Sequence, residues 1–120
     1  MADCIFCKIV KGEIPSKKLY EDDDILAFED IAPQAPVHFL VIPKRHISNL
    51  MEIEENDAEL MGRLIFIAKE IASKPVMGSK EGCAENGGRF IFNCKSHGGQ
   101  TENHIHLHFL GGKQLALHLG

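Results

Sequence analysis

The sequence predicts an α+β domain. Three observations carry this: about five short extended runs, one longer segment whose apolar residues recur at helical spacing, and connections compatible with antiparallel pairing. The 120 residues, 44% of them hydrophobic, suit a single domain over 1–120 with one buried core.

Asp3 to Lys11 reads as a short helix with Asp3 as its N-cap, ended by Gly12 and Ile14-Pro15. Lys18 to Glu21 and Ile25 to Glu29 are extended runs around Asp22-Asp23-Asp24, a hairpin whose acids read as a solvated turn. After the Pro33 to Pro36 break, His38 to Ile42 is compact and apolar, which predicts a buried strand stopped by Pro43. Leu60, Leu64, Ile67 and Ile71 then follow helical spacing. Asn56 with Glu59 supplies a capping box, and Pro75 and Gly78 end the helix near Lys74. Gly78 to Gly88 reads as a loop and Arg89 to Cys94 as a strand. His104 to Leu110 alternates polar and apolar residues with period two, a two-faced strand.

A net charge of -4 provides no cationic field for a phosphate polymer, so nucleic-acid binding is disfavoured while a small phosphate ligand is not. The first residues carry no basic region followed by an apolar run, and no apolar stretch approaches membrane-spanning length. Four cysteines without an export signal favour thiols or metal ligands over disulfides, and a cytoplasmic location is expected. Cys83 reads as a loop residue and Cys94 as a strand thiol.

Strand alternation puts His104, His106 and His108 on one face, with Ile105, Leu107 and Phe109 on the other. One histidine there would read as part of a solvated face; three at strict alternation point to shared chemistry. A single zinc held by all three rings fits poorly, because residues i and i+4 of a strand stand ~13 Å apart. A nucleophile with flanking helpers fits better, since neutral imidazole attacks phosphorus and forms labile phosphoramidates. Upstream, Ser96-His97-Gly98-Gly99-Gln100-Thr101 offers glycines and amide N–H groups suited to an anionic oxygen, although a Gly-Gly turn also simply joins strands. Cys4-Ile5-Phe6-Cys7 has metal-knuckle spacing but supplies half of a zinc site. A redox pair and two unconnected thiols remain alternatives from spacing alone.

Taken together, Cys4 to Cys7, Glu13-Ile14-Pro15, Asp30 to Pro36, His38, Val41 to His46 and Gly98 to Leu110 resemble the histidine triad family. The resemblance runs from Cys4 to Gly112, and Gly111-Gly112 is similar to the Hint-type branch of purine nucleoside phosphoramidases. It implies a five-stranded antiparallel sheet with one long and one short helix, paired into a homodimer. It further implies hydrolysis of a purine nucleoside 5'-phosphoramidate or acyl-adenylate through an AMP-histidine intermediate.

By position, the resemblance makes His106 the nucleophile. His108, Thr101 and the backbone of Gly99 and Gln100 would lie around the α-phosphate, and His38 would orient groups or move a proton near the leaving group. Thr101 stands where many relatives have serine. Asp30 is implied to accept from the ribose hydroxyls and Asn93 to contact the sugar-phosphate region. Ile31, Phe6, Ile9, Ile14 and Leu40 are implied as walls around the purine, although taken singly they read as core. The CxxC resembles a set completed by His46 and His104 into a closed, structural Cys2His2 zinc site, with no catalytic cofactor.

Glu102-Asn103 stands where an apolar or aromatic pair is common, and the tail Leu115 to Gly120 lacks the Trp-Pro ending of animal relatives. These departures leave the leaving group open. A dinucleoside polyphosphate hydrolase is the enzymatic alternative, and a non-catalytic nucleotide-binding module is the alternative from another class.

Overall fold

A computed structural model describes residues 3–117. The chain runs α1 (Ile5–Val10), β1 (Lys18–Glu21), β2 (Ile25–Glu29), β3 (Val37–Pro43), α2 (Ala58–Ala72), β4 (Gly88–Phe92) and β5 (Leu107–Gly111), with short 3₁₀ turns between. The strands form one five-stranded sheet in the order β1-β2-β3-β5-β4, each neighbouring pair antiparallel. This is the α+β architecture predicted from the sequence. Among the described residues, no helix is long and apolar enough to cross a membrane.

β3 lies at the centre and all seven of its residues are buried, which fits a strand covered on both faces. Pleating divides them. Val37, Phe39 and Val41 face α2 with Ile25, Ala27, Ile105, Leu107 and Phe109. Leu40 and Ile42 face α1 with Leu26 and Phe28. From α2, Leu64 is fully buried against the first group, and burying such a side chain contributes about 1.5–3 kcal/mol. The long helix therefore secures one face of the sheet, and the opposite face carries the histidines.

Several boundaries differ from the sequence reading. The N-cap of α1 is Cys4, not Asp3, because the Cys4 sulfur accepts from the Cys7 N–H at 3.3 Å. The capping box ahead of α2 is formed by Glu54 and Asp57 rather than Asn56 and Glu59. The Glu54 N–H donates to Asp57 Oδ2 at 2.8 Å, and Arg45 pairs with the other Asp57 oxygen. The turn acids divide as well: Asp23 and Asp24 are exposed, but Asp22 is half-buried. Its Oδ1 accepts from the Asp24 and Ile25 N–H groups, while Oδ2 takes bonds from Tyr20 and from Arg63 of α2.

The histidine strand begins at Leu107, not at His104: its ladder with β3 stops at the Val41–Leu107 pair, short of Pro43, which has no N–H to offer. Beyond it the Ile105 N–H donates to the Ile47 carbonyl at 2.7 Å, so the segment stays fixed outside the sheet. β4 ends at Phe92, which leaves Cys94 half-buried in the following loop. Cys83 in turn belongs to the core: it is 6% exposed, and its N–H donates to the Ala72 carbonyl at 2.6 Å. Gly82 permits that closure, having φ +74 and a position where a Cβ would meet the Ser73 carbonyl oxygen at 2.5 Å.

Candidate active site and metal-ligand cluster

The face turned toward α1 collects four histidines from two central elements. His38 projects from β3, and His104, His106 and His108 come from β5 and the segment before it. The His106 and His108 ring centres are 4.8 Å apart, those of His38 and His108 5.3 Å. The Phe6 ring of α1 stands edge-on to His106 at 5.1 Å and to His104 at 5.8 Å.

Main-chain groups decide which nitrogen of three of these rings carries the proton, and the His38 ring decides it for His108. The His106 Nδ1–H donates to the His104 carbonyl at 2.7 Å, so its Nε2 holds the lone pair. The His104 Nε2–H donates to the Pro43 carbonyl at 2.8 Å, so its lone pair lies on Nδ1. For His38 the logic reverses: Nδ1 accepts from the Gln34 N–H at 3.0 Å, and the proton sits on Nε2. That Nε2 is 3.0 Å from His108 Nδ1 and 3.3 Å from Asp30 Oδ2. With Nδ1 of His108 accepting, its Nε2–H remains as a donor. The nucleophile candidate thus presents a lone pair beside a ring that presents a proton.

Burial holds these rings neutral. It pushes His108 down to about 4, with the nearby His106 and His38 rings adding to the effect. It pushes His104 down to about 4 against the hydrogen bond to the Pro43 carbonyl, with His46 and His106 reinforcing it. His106 is lowered by burial against its bond to the His104 carbonyl, and His38 by burial against the charge of Asp30.

A second cluster adjoins the first. Donor atoms of Cys4, Cys7, His46 and His104 all lie within 4.8 Å of one another. His104 Nδ1 is 3.3 Å from the Cys4 sulfur and 3.6 Å from that of Cys7, and His46 Nδ1 is 3.3 Å from the Cys7 sulfur. Burial and the neighbouring Cys4 push the Cys7 thiol up to about 11.

The 96–101 loop is tied together by the Gln100 side chain. It accepts from the Lys95 N–H at 2.8 Å and donates to the carbonyls of Ser48 at 2.7 Å and Glu102 at 2.8 Å. Gly99 has φ +76 with open space where a Cβ would point, so a ligand can approach the backbone there. The Gly99 and Gln100 N–H groups, implied by the resemblance as phosphate donors, donate within the loop to Ser96 and Lys95 carbonyls at 3.1 and 3.0 Å.

The family described as "Scavenger mRNA decapping enzyme C-term binding" matches residues 3–118. An uncharacterized HIT-like protein of Buchnera aphidicola is 47% identical over 115 residues, covering 96% of this chain and 97% of its own length. The chain belongs to the histidine triad family. A purine nucleoside phosphoramidase of Escherichia coli (strain K12) is 44% identical over 113 residues, covering 94% of this chain and 90% of that protein. Among solved structures, a HIT family hydrolase from Legionella pneumophila superposes with TM-score 0.87 at 45% identity, covering 96% of this chain and 97% of that one. A histidine triad protein from Clostridium difficile gives 0.89 at 42% identity, covering 99% and 98%.

Of the residues singled out in this histidine triad protein, Asp30, His38, His106 and His108 meet in one place. Asp30 also caps its own turn, accepting from the Ala32 N–H at 2.8 Å. Thr101 is exposed, and Asn93 is half-buried at the end of β4. Phe6, Ile9 and Leu40 form a core cluster under α1 with Ile14 against it, whereas Ile31 is 93% exposed. His118 and the last residues of the tail lie outside the described residues. Two groups escaped the sequence reading. The Gln34 N–H carries no side-chain signature, and the sulfur of Met77, which accepts from the His38 N–H at 3.3 Å, comes from a loop whose sequence shows no motif.

Proposed function

We propose that this protein hydrolyses purine nucleoside 5'-phosphoramidates, or acyl-adenylates of the same reactive class, by passing AMP through His106. The observation that carries the reading is the 2.7 Å bond from His106 Nδ1–H to the His104 carbonyl, which leaves Nε2 free to attack. In the first step Nε2 bonds to the α-phosphorus as the phosphorus–nitrogen bond of the substrate breaks, and the amine leaves with a proton. His108 and His38 are the proton-carrying rings beside the nucleophile. In the second step water attacks the adenylated His106, releasing AMP and restoring the imidazole. Holding the groups in line and balancing phosphate charge supplies most of the acceleration. Turnover of a panel of adenosine phosphoramidates, acyl-adenylates and dinucleoside polyphosphates tests the reading. Preference for the dinucleotides would replace it with the polyphosphate alternative, and binding of AMP without any turnover with the non-catalytic one.

Asp30 is assigned to the ribose. In the free protein its Oδ2 is 3.3 Å from His38 Nε2, and a nucleoside would offer the same carboxylate two hydroxyl donors. Asp30→Ala is expected to raise KM and AMP Kd about tenfold while changing kcat less. Titration calorimetry with AMP checks this; an unchanged Kd would remove Asp30 from the ribose site.

One zinc ion is assigned to Cys4, Cys7, His46 and His104. A tetrahedral zinc places sulfur and nitrogen ligands about 3.5 Å apart, and the 3.3–3.6 Å separations here support that geometry. When bound, the ion supplies a structural tie between α1 and the segment before β5.

A second copy of the chain is assigned to the β4 side. β4 is an outer strand, and Phe90 on it is 45% exposed, with Ile65 and Phe66 of α2 exposed at 50% and 60%. Sedimentation at micromolar concentration is expected to give a dimer. A monomer with full activity would reject the assignment.

A further inference from the structure

His104 is the one residue that belongs to both clusters, and every polar atom it has is used. Its ring donates from Nε2 to the Pro43 carbonyl and turns Nδ1 toward the Cys4 and Cys7 sulfurs. Its own N–H donates to the Glu102 carbonyl at 2.9 Å, and its carbonyl takes the His106 Nδ1–H at 2.7 Å. The residue has no exposed surface. Phe6, between the two cysteines in sequence, touches both the His104 and the His106 rings. A displacement of the His104 ring therefore moves the acceptor that fixes the proton on His106, and a shift of Cys4 or Cys7 moves the aromatic edge that packs on the same ring.

We propose that the Cys4, Cys7, His46 and His104 centre positions the nucleophile, so that a zinc ion held there sets the tautomer and direction of His106. This rests on the zinc and nucleophile assignments made above. His104 and Phe6 are then positioning residues: neither touches the phosphate, and both act through His106. The effect belongs in kcat, because an imidazole with its lone pair on the wrong nitrogen, or turned from the line of attack, still lets the nucleotide bind.

The test uses the full-length, zinc-loaded protein labelled with ¹⁵N-histidine. At fixed pH, the His106 nitrogen shifts are followed as a chelator withdraws the metal, with metal content, far-UV circular dichroism and AMP Kd read on the same samples. The loaded protein is expected to show a protonated Nδ1 and a bare Nε2. The metal-free, folded protein is expected to show averaged tautomers, about a tenfold lower kcat, and an AMP Kd within twofold. An unchanged tautomer and kcat in folded, metal-free protein would overturn the proposal. Should the metal-free chain unfold, exchange of zinc for the larger Cd²⁺ keeps all four ligands and the fold. His106 shifts and a severalfold lower kcat, both restored by zinc, are then expected, and identity of the two forms overturns the proposal. Failure to take up metal would reject the centre itself, whereas coupled His106 shifts without turnover would reject only the reaction.

Discussion

His106→Ala is expected to lower turnover of adenosine 5'-phosphoramidate by about 10⁴-fold or more while leaving AMP affinity within a few-fold of the parent. At 1.36 kcal/mol per decade this is on the order of 5 kcal/mol of transition-state stabilisation. The size follows from removing the atom that forms the new bond, for which no neighbour substitutes. His108 shows a donor rather than a lone pair to the site, and the His104 lone pair faces the cysteines. His108→Ala is expected to slow the reaction less, because other donors still meet the phosphate charge. Rapid quenching of the parent enzyme should trap an AMP adduct, and peptide mass spectrometry should locate it on His106. Near-normal turnover in His106→Ala, or an adduct on His104 or His108, would rule out the proposed chemistry.

Loss of metal is expected to have the largest effect on stability. Purified protein should carry about one zinc per chain by elemental analysis. A ligand present at 1,000 times its Kd adds about 4 kcal/mol to the folded state. At roughly 3–6 °C per kcal/mol for a domain of this size, chelation should lower Tm on the order of 10–20 °C. That exceeds the roughly 1.4 kcal/mol corresponding to the tenfold change in kcat expected per folded molecule. The mechanism is a tie across the chain: the four ligands join α1 to residues about 40 and 100 positions away, as the Cys7 to His46 and Cys4 to His104 separations record. Metal-free protein with Cys4 and Cys7 open to alkylation that melts at the same Tm as the zinc-loaded form would contradict this.

How far these features could be read from sequence depends on the range over which each is determined. The period-two pattern of His104 to Leu110 correctly separated the two faces, because pleating is local. It did not reveal where the ladder stops. That depends on β3, more than sixty residues away, whose pairing with β5 stops at Val41 and leaves Leu107 as the first paired residue of β5. The helical spacing of Leu60, Leu64, Ile67 and Ile71 located α2, but its cap was misplaced. Asn56 and Glu59 have the right residue types, whereas Glu54 and Asp57 have the right geometry, with Arg45 arriving from another part of the chain. Cys83 lies in a loop, as its glycine and polar neighbours indicate, but those neighbours do not show that it is buried. Its burial follows from the turn that brings it back to Ala72. Within the site, histidine and aspartate could be recognised as chemical types. The Gln34 N–H and the Met77 sulfur could not, since neither the position of a main-chain amide nor that of a distant thioether is written in residue identity.

The protons of this site are assigned by the peptide backbone: a carbonyl for His106, another for His104, and an amide for His38. An alanine scan would therefore leave these groups in place, since alanine retains both the N–H and the C=O of the residue it replaces, and would reach them only through the side chains that position them. Changes to the main chain itself expose them directly, such as a proline or an ester linkage at position 34, or an inserted residue between positions 104 and 106. Substitutions at Gln34 or Pro43 that preserve the path of the chain leave the proton pattern intact, so side chains there can drift while the reactivity of the imidazoles stays the same.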